Sequence, residues 1–265
     1  MATARAERLD YLQTPPQQDG RKPLWHESLV GLEIWNHLTS TVLLKESIPR
    51  GDGSAVIVVP GFWSNDSHTE SLRNRLRRAN YDSRSSGIKV ANLNPESYED
   101  RLVGEIDEAF AETHQKVHLL GHSLGGIVVR AIAARRAEKV KTVTTLGSPL
   151  FGEPEDIITP AVLKAAEFWI PIIRDRNRLE KRKQEISQSL SHMGVRVTSI
   201  YTKRDGIVDW RYCKDPNPEN DNIEVTGSHM ALIYNRDVDR HLGVILSLPQ
   251  MGEIIEHPVF SRPAA

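Results

Sequence analysis

The segment Gly121-His122-Ser123-Leu124-Gly125-Gly126 places a serine between glycines, behind the apolar run Val117-His118-Leu119-Leu120 and ahead of a helix-like stretch from Ile127 to Arg136. A serine at a sharp turn from a buried strand into a helix must take a strained backbone. Glycines two positions to either side let neighbouring chain pass close. Such a turn presents the hydroxyl at the carboxyl end of the strand, where a substrate can reach it. A bare Gly-x-Ser-x-Gly arises by chance. Set between a strand and a helix, it marks Ser123 as a candidate nucleophile.

A serine hydroxyl is a poor nucleophile at neutral pH and needs a base to take its proton. Histidine suits the task because its ordinary pKa lies near the working pH, and a carboxylate then holds the imidazole in one tautomer. Downstream of Ser123 stand His192, His229, His241 and His257. His229 is the candidate base, because it follows the strand-like run Ile223 to Thr226 and precedes a helix. That order puts it on a loop at a strand's carboxyl end. His192 falls in a charged insertion, His241 on the last helix, and His257 in a proline-containing terminal segment. For the acid, the strand-like Arg196 to Tyr201 runs into Thr202-Lys203-Arg204-Asp205-Gly206-Ile207-Val208-Asp209. Asp205 lies nearer the strand end and is preferred; Asp209 is its competitor. Asp215 and Asp221 sit among Pro and Asn as turn residues. An oxyanion needs two backbone N–H donors. Leu124, which follows the nucleophile, is expected to supply one, and Phe62, in the loop after the buried strand Ala55 to Val59, is the candidate for the other.

The elements that must carry these groups alternate. Strands are expected at 55–59, about 87–91, 117–121, 140–146, 195–201 and 222–226. Helices are expected at about 67–79, about 98–114, 123–136 and 236–247. Strands alternating with helices imply a parallel sheet with right-handed crossovers. Residues 1–22 are polar and read as a flexible arm, and 23–265 as a single domain whose first part, to about Leu44, is helical and docks on the body. An insertion of about 151–192 is too long for a plain connection. It leaves the sheet at the carboxyl edge and is expected to lie over the site as a helical cap or lid. Trp63, Leu150, Phe168 and Trp169 are the candidate substrate contacts.

Composition narrows the class. The chain has 265 residues, a length suited to one large core, and a net charge of −1, which speaks against a nucleic-acid partner or an anionic membrane. The run Arg73-Asn74-Arg75-Leu76-Arg77-Arg78 is expected on the solvent face of a helix. The one cysteine, Cys213, cannot form an internal disulfide and is expected as a buried structural thiol. No apolar leader or bilayer-length run is read in the sequence, so a cytoplasmic location is expected, or secretion if a leader is missing. No metal cluster or phosphate-binding loop is read, and no cofactor is expected.

Taken together, Val58-Val59-Pro60-Gly61-Phe62, Gly121 to Gly126, Thr145-Leu146-Gly147-Ser148-Pro149, Asp205-Gly206-Ile207-Val208 and Gly227-Ser228-His229 resemble the α/β-hydrolase superfamily, on the bacterial serine esterase and lipase side. The resemblance covers about 55–248. It implies an α/β-hydrolase fold, with a mostly parallel sheet flanked by helices, and Ser123, Asp205 and His229 as catalytic triad. It further implies Phe62 and Leu124 as the oxyanion hole and a carboxylic ester cleaved through an acyl-enzyme. Pro60-Gly61 stands where many lipases carry His-Gly, and Gly147-Ser148-Pro149-Leu150-Phe151-Gly152 departs from their Gly-x-Pro-His-x-Gly. A thioesterase or acyltransferase with the same triad, or a binding protein on a hydrolase fold, are the alternatives.

Overall fold

The computed structural model describes residues 48–62, 64–89, 91, 96–151 and 190–249. The arm 1–22, the stretch 23–44, the body of the insertion with Phe168 and Trp169, and Trp63 lie outside the described residues.

Five consecutive apolar residues form β1 (Ala55–Val59), buried along its whole length. Helix α1 (Asp66–Arg78), β2 (Asp82–Ser85), α2 (Glu96–Thr113), β3 (Val117–His122), α3 (Leu124–Arg135) and β4 (Val140–Leu146) follow. After the insertion come β5 (Arg196–Thr202), β6 (Asp221–Val225) and α4 (Arg236–Ser247). The six strands form one sheet in the order β2-β1-β3-β4-β5-β6. Every neighbouring pair is parallel. This is an α/β-hydrolase fold.

Strand side chains alternate between the faces, so the central strands β1, β3, β4 and β5 each serve two cores. Ala55, Ile57, Val59, Val117 and Leu119 pack with Leu102 and Ile106 of α2 and Val128 and Ile132 of α3. Val56, Val58 and Leu120 pack instead with Leu72 and Leu76 of α1 and Val238 and Leu242 of α4. The sheet therefore lies between two helical layers.

Two expectations are corrected. The second strand is Asp82–Ser85, not 87–91. Among the described residues it pairs only with β1, and a strand paired on one side needs no apolar run; Ile88 and Ala91, which carried the apolar signal, are buried in the α2/α3 core outside any strand. The arginine run of α1 is not a solvent face throughout. Arg73 pairs with Asp66 and Glu70, and Arg75 with Asp239 of α4 at 2.8 Å. Both arginines are buried, and Arg75 also donates to the Ile233 carbonyl at 2.6 Å. On the other face Arg130 of α3 pairs with buried Asp215 at 2.5 Å. Asp215 is therefore an ion-pair partner as well as a turn residue, accepting from the Asn217 N–H at 2.9 Å.

His118 is fully buried on the α1/α4 face, with Nδ1 2.8 Å from the Thr142 hydroxyl and its ring edge-on to Tyr81. Burial pushes its pKa from the ordinary 6.5 down to about 3. Below pH 6.5 the unfolded chain therefore takes up a proton that the native chain refuses. Stability is complete above pH 6.5 and is lost as pH falls, by up to ~1.4 kcal/mol per pH unit. Denaturant unfolding between pH 6.5 and 5, above the carboxylate range, should show this decline. His118→Asn, which keeps a polar atom at the Nδ1 position, should reduce the slope.

Candidate active site

The strands are all parallel, but the order in which the chain adds them switches sides at β1: β2 is laid down on one side of it and β3 to β6 on the other. Helix α1, after β1, packs on one face of the sheet, and α3, after β3, packs on the other. A crevice opens at the carboxyl ends of strands flanking such a switch, and ligands bind there in open α/β sheets. Phe62 lies in the loop after β1 and Ser123 in the turn after β3. The sequence-predicted donor and nucleophile thus share the crevice.

Ser123 has φ 52 and ψ −122, a left-handed backbone in which L side chains are strained. Its N–H donates to the Leu146 carbonyl at 2.9 Å, which ties the turn to β4. The close approach requires glycine. A Cβ on Gly121 would stand 2.4 Å from the Gly125 main chain, and one on Gly125 would stand 2.4 Å from the Val59 carbonyl oxygen. A Cβ on Gly61 would stand 3.0 Å from the Ser123 Cβ, so the Phe62 loop runs beside the serine. Leu124 begins α3, where the first N–H groups of a helix have no carbonyl partner within it. The partial positive charge of that terminus faces the same crevice.

His229 and Asp205 come together from different loops. His229 Nδ1 lies 2.6 Å from Asp205 Oδ2, and both side chains are buried. The carboxylate accepts, so Nδ1 carries the proton and Nε2 is left as the basic nitrogen. The second oxygen of Asp205 accepts from the Ile207 and Val208 N–H groups at 2.9 and 2.8 Å, which fixes the carboxylate. Asp209 does something else. It caps the short turn Trp210–Cys213 by accepting from the Arg211 N–H at 3.0 Å, and pairs with the Arg211 guanidinium at 2.8 Å. The Thr202 hydroxyl at the end of β5 donates to the Gly227 carbonyl at 2.7 Å and so joins the acid loop to the histidine loop. His192 is exposed, His241 is half-buried on α4, and His257 lies outside the described residues.

Leu150 is buried, and its N–H donates to the Tyr212 carbonyl at 2.8 Å. Cys213 is buried behind the acid loop; burial, together with Asp205 and Asp209, pushes its thiol pKa well up. A neutral thiol there is a packing group. No local pattern marks His68 or His122 for a role, yet the fold sets His122 beside His229 and His68 beside His122. The His122 ring is 4.9 Å from that of His229 and 5.7 Å from that of His68. Residue type alone was the available signal, and side chains 107 positions apart, such as His122 and His229, are not joined by any local pattern. No group of metal-ligating residues is present among the described residues. No helix among them is long and apolar enough to cross a membrane.

Residues 56–223 match the model of the alpha/beta hydrolase family, and the chain belongs to that family. Among solved structures it is similar to the monoacylglycerol lipase of Paleococcus ferrophilus, at 15% identity and a TM-score of 0.52, over 75% of this chain and 96% of that one. A structure from work on carboxylesterases of the thaumarchaeon Nitrososphaera gargenis is 14% identical, with a TM-score of 0.55, over 74% and 92% of the two chains. The thioesterase domain from the curacin biosynthetic pathway is 17% identical, with a TM-score of 0.51, over 74% and 92%. At these identities the likeness is one of fold. No curated protein matches the chain by sequence.

Gly147, with φ 57, lies under the His229–Asp205 bond. A Cβ there would stand 3.1 Å from His229 Nδ1 and 3.3 Å from Asp205 Oδ2. Gly147→Ala should cost ~1–3 kcal/mol through its left-handed backbone. The same methyl group should press on the bond itself, seen as a shift or loss of the downfield His229 N–H proton resonance in the NMR spectrum.

Proposed function

We propose that the protein is a serine hydrolase that cleaves carboxylic esters through an acyl-enzyme. The observation that carries the reading is the 2.6 Å bond from His229 Nδ1 to Asp205 Oδ2 at the sheet edge where Ser123 holds its left-handed turn. With the proton on Nδ1, His229 Nε2 takes the Ser123 proton as Oγ attacks the ester carbonyl. Asp205 stabilises the imidazolium so formed. The Phe62 and Leu124 N–H groups are the donors to the tetrahedral oxyanion, each worth ~3 kcal/mol of barrier in such sites. His229 then returns the proton to the leaving alkoxide, and the alcohol departs. Water attacks the acyl-Ser123 with His229 again as base, releasing the acid and restoring the serine. No cofactor enters these steps.

The main-chain donors to Asp205 support its role as orienting acid, because a carboxylate held by two N–H groups has little freedom to turn from the imidazole. The engagement of Asp209 with Arg211 supports the same choice. Substrate contacts from Trp63, Leu150, Phe168 and Trp169, and a cap over the crevice, remain part of the proposal.

Hydrolysis of p-nitrophenyl esters from acetate to palmitate tests the reading. Ser123→Ala should remove turnover and fluorophosphonate labelling. Asp205→Asn should lower kcat by roughly 10⁴-fold through the wrong imidazole tautomer. Asp209→Asn should keep kcat within about threefold, as expected of a capping residue outside the triad. Full activity in Ser123→Ala would end the proposal. Cleavage of acyl thioesters but no oxygen ester would move it to a thioesterase.

A further inference from the structure

His122 closes β3 one residue before Ser123 and is 2% exposed. Its Nε2 lies 3.0 Å from the main-chain carbonyl oxygen of His229. A carbonyl only accepts, so Nε2 carries the proton and Nδ1 does not. That Nδ1 is buried without a hydrogen-bond partner among the described residues, and it lies 3.0 Å from where a Cβ on Gly61 would stand. One ring therefore touches the turn that holds the base and the loop that holds the Phe62 donor, from a position next to the nucleophile.

The sheet itself supplies no direct link. β4 and β5 stand between β3 and β6, so no ladder hydrogen bond joins the strand before Ser123 to the strand before His229. The direct tie that is present comes from a side chain, His122. Burial holds the His122 ring neutral, and the nearby His229 and His68 oppose its charging further. A lysine or arginine here would set a fixed positive charge beside a base that must itself become positive, whereas imidazole offers a rigid neutral donor.

We propose that His122 is a positioning residue: its Nε2–H, bonded to the His229 carbonyl, holds the general base in register with Ser123. The inference rests on the hydrolase reading above. Gln carries an amide nitrogen at about the reach of Nε2, Asn is one bond shorter, and Leu keeps bulk without a donor.

The test is kcat, KM and fluorophosphonate labelling rate for the native chain and for His122→Leu, His122→Asn and His122→Gln, with circular dichroism to check folding. His122→Leu and His122→Asn should lose about tenfold in kcat and in labelling rate, the scale of one hydrogen bond. KM should stay within about twofold. His122→Gln should remain within about threefold of the native kcat because it keeps the donor. Native rates in all the variants would overturn the proposal, and so would a Gln variant as slow as the Asn one. If the Leu variant does not fold, the Gln and Asn pair decides the matter in the same way. A native chain that neither labels at Ser123 nor cleaves any ester would overturn the hydrolase reading, and this inference with it.

Discussion

At the β3–α3 turn, main chain passes main chain at distances that leave no room for a β-carbon. Gly121 lies against Gly125, and Gly125 against the end of β1. That packing forces Ser123 into a left-handed conformation, a strain of ~1–3 kcal/mol that the surrounding sheet must over-determine. It does so through the Ser123 N–H bond to β4 and the burial of β3 on both faces. The rest of the crevice is arranged around this turn. The β1 loop is close because Gly61 lets it be, and the His229–Asp205 bond passes over Gly147, itself left-handed at the end of β4.

Electrostatics add a second layer. His68 and His122 are both held toward the neutral form by burial and by the neighbouring His229. Within the imidazole cluster beside the crevice, Asp205 gives His229 a carboxylate partner at 2.6 Å. Two buried ion pairs lie in the helical layers. Arg75 meets Asp239 on one face of the sheet, and Arg130 meets Asp215 on the other.

The parts legible in the sequence were those with local signatures. Ala55–Val59 is an unbroken apolar run of the kind a strand buried on both sides requires, Val140–Leu146 is rich in β-branched residues, and the Gly-x-Ser-x-Gly turn carries its own geometry. Asp205 and His229 could be named because each follows a strand-like run. What escaped was non-local. Asp82–Ser85 is polar because it is paired on one side, so it carried no strand signal. Arg73 and Arg75 read as surface because charge usually means solvent, and their buried partnership depends in part on a carboxylate 164 residues away. His122 looked like filler in a motif until the fold brought the His229 carbonyl to it.

The Arg75–Asp239 clasp has a consequence for how the molecule is made. A ribosome delivers α1 well before α4, at a pace of about 5–20 residues per second. Through that interval Arg75 waits without its carboxylate, and the turn bearing His229 has yet to be drawn onto the sheet. The serine elbow can form from β1, β3 and β4 well before then. During synthesis the chain should therefore pass through a stage in which the elbow is finished while His229 and Asp239 have yet to take their places.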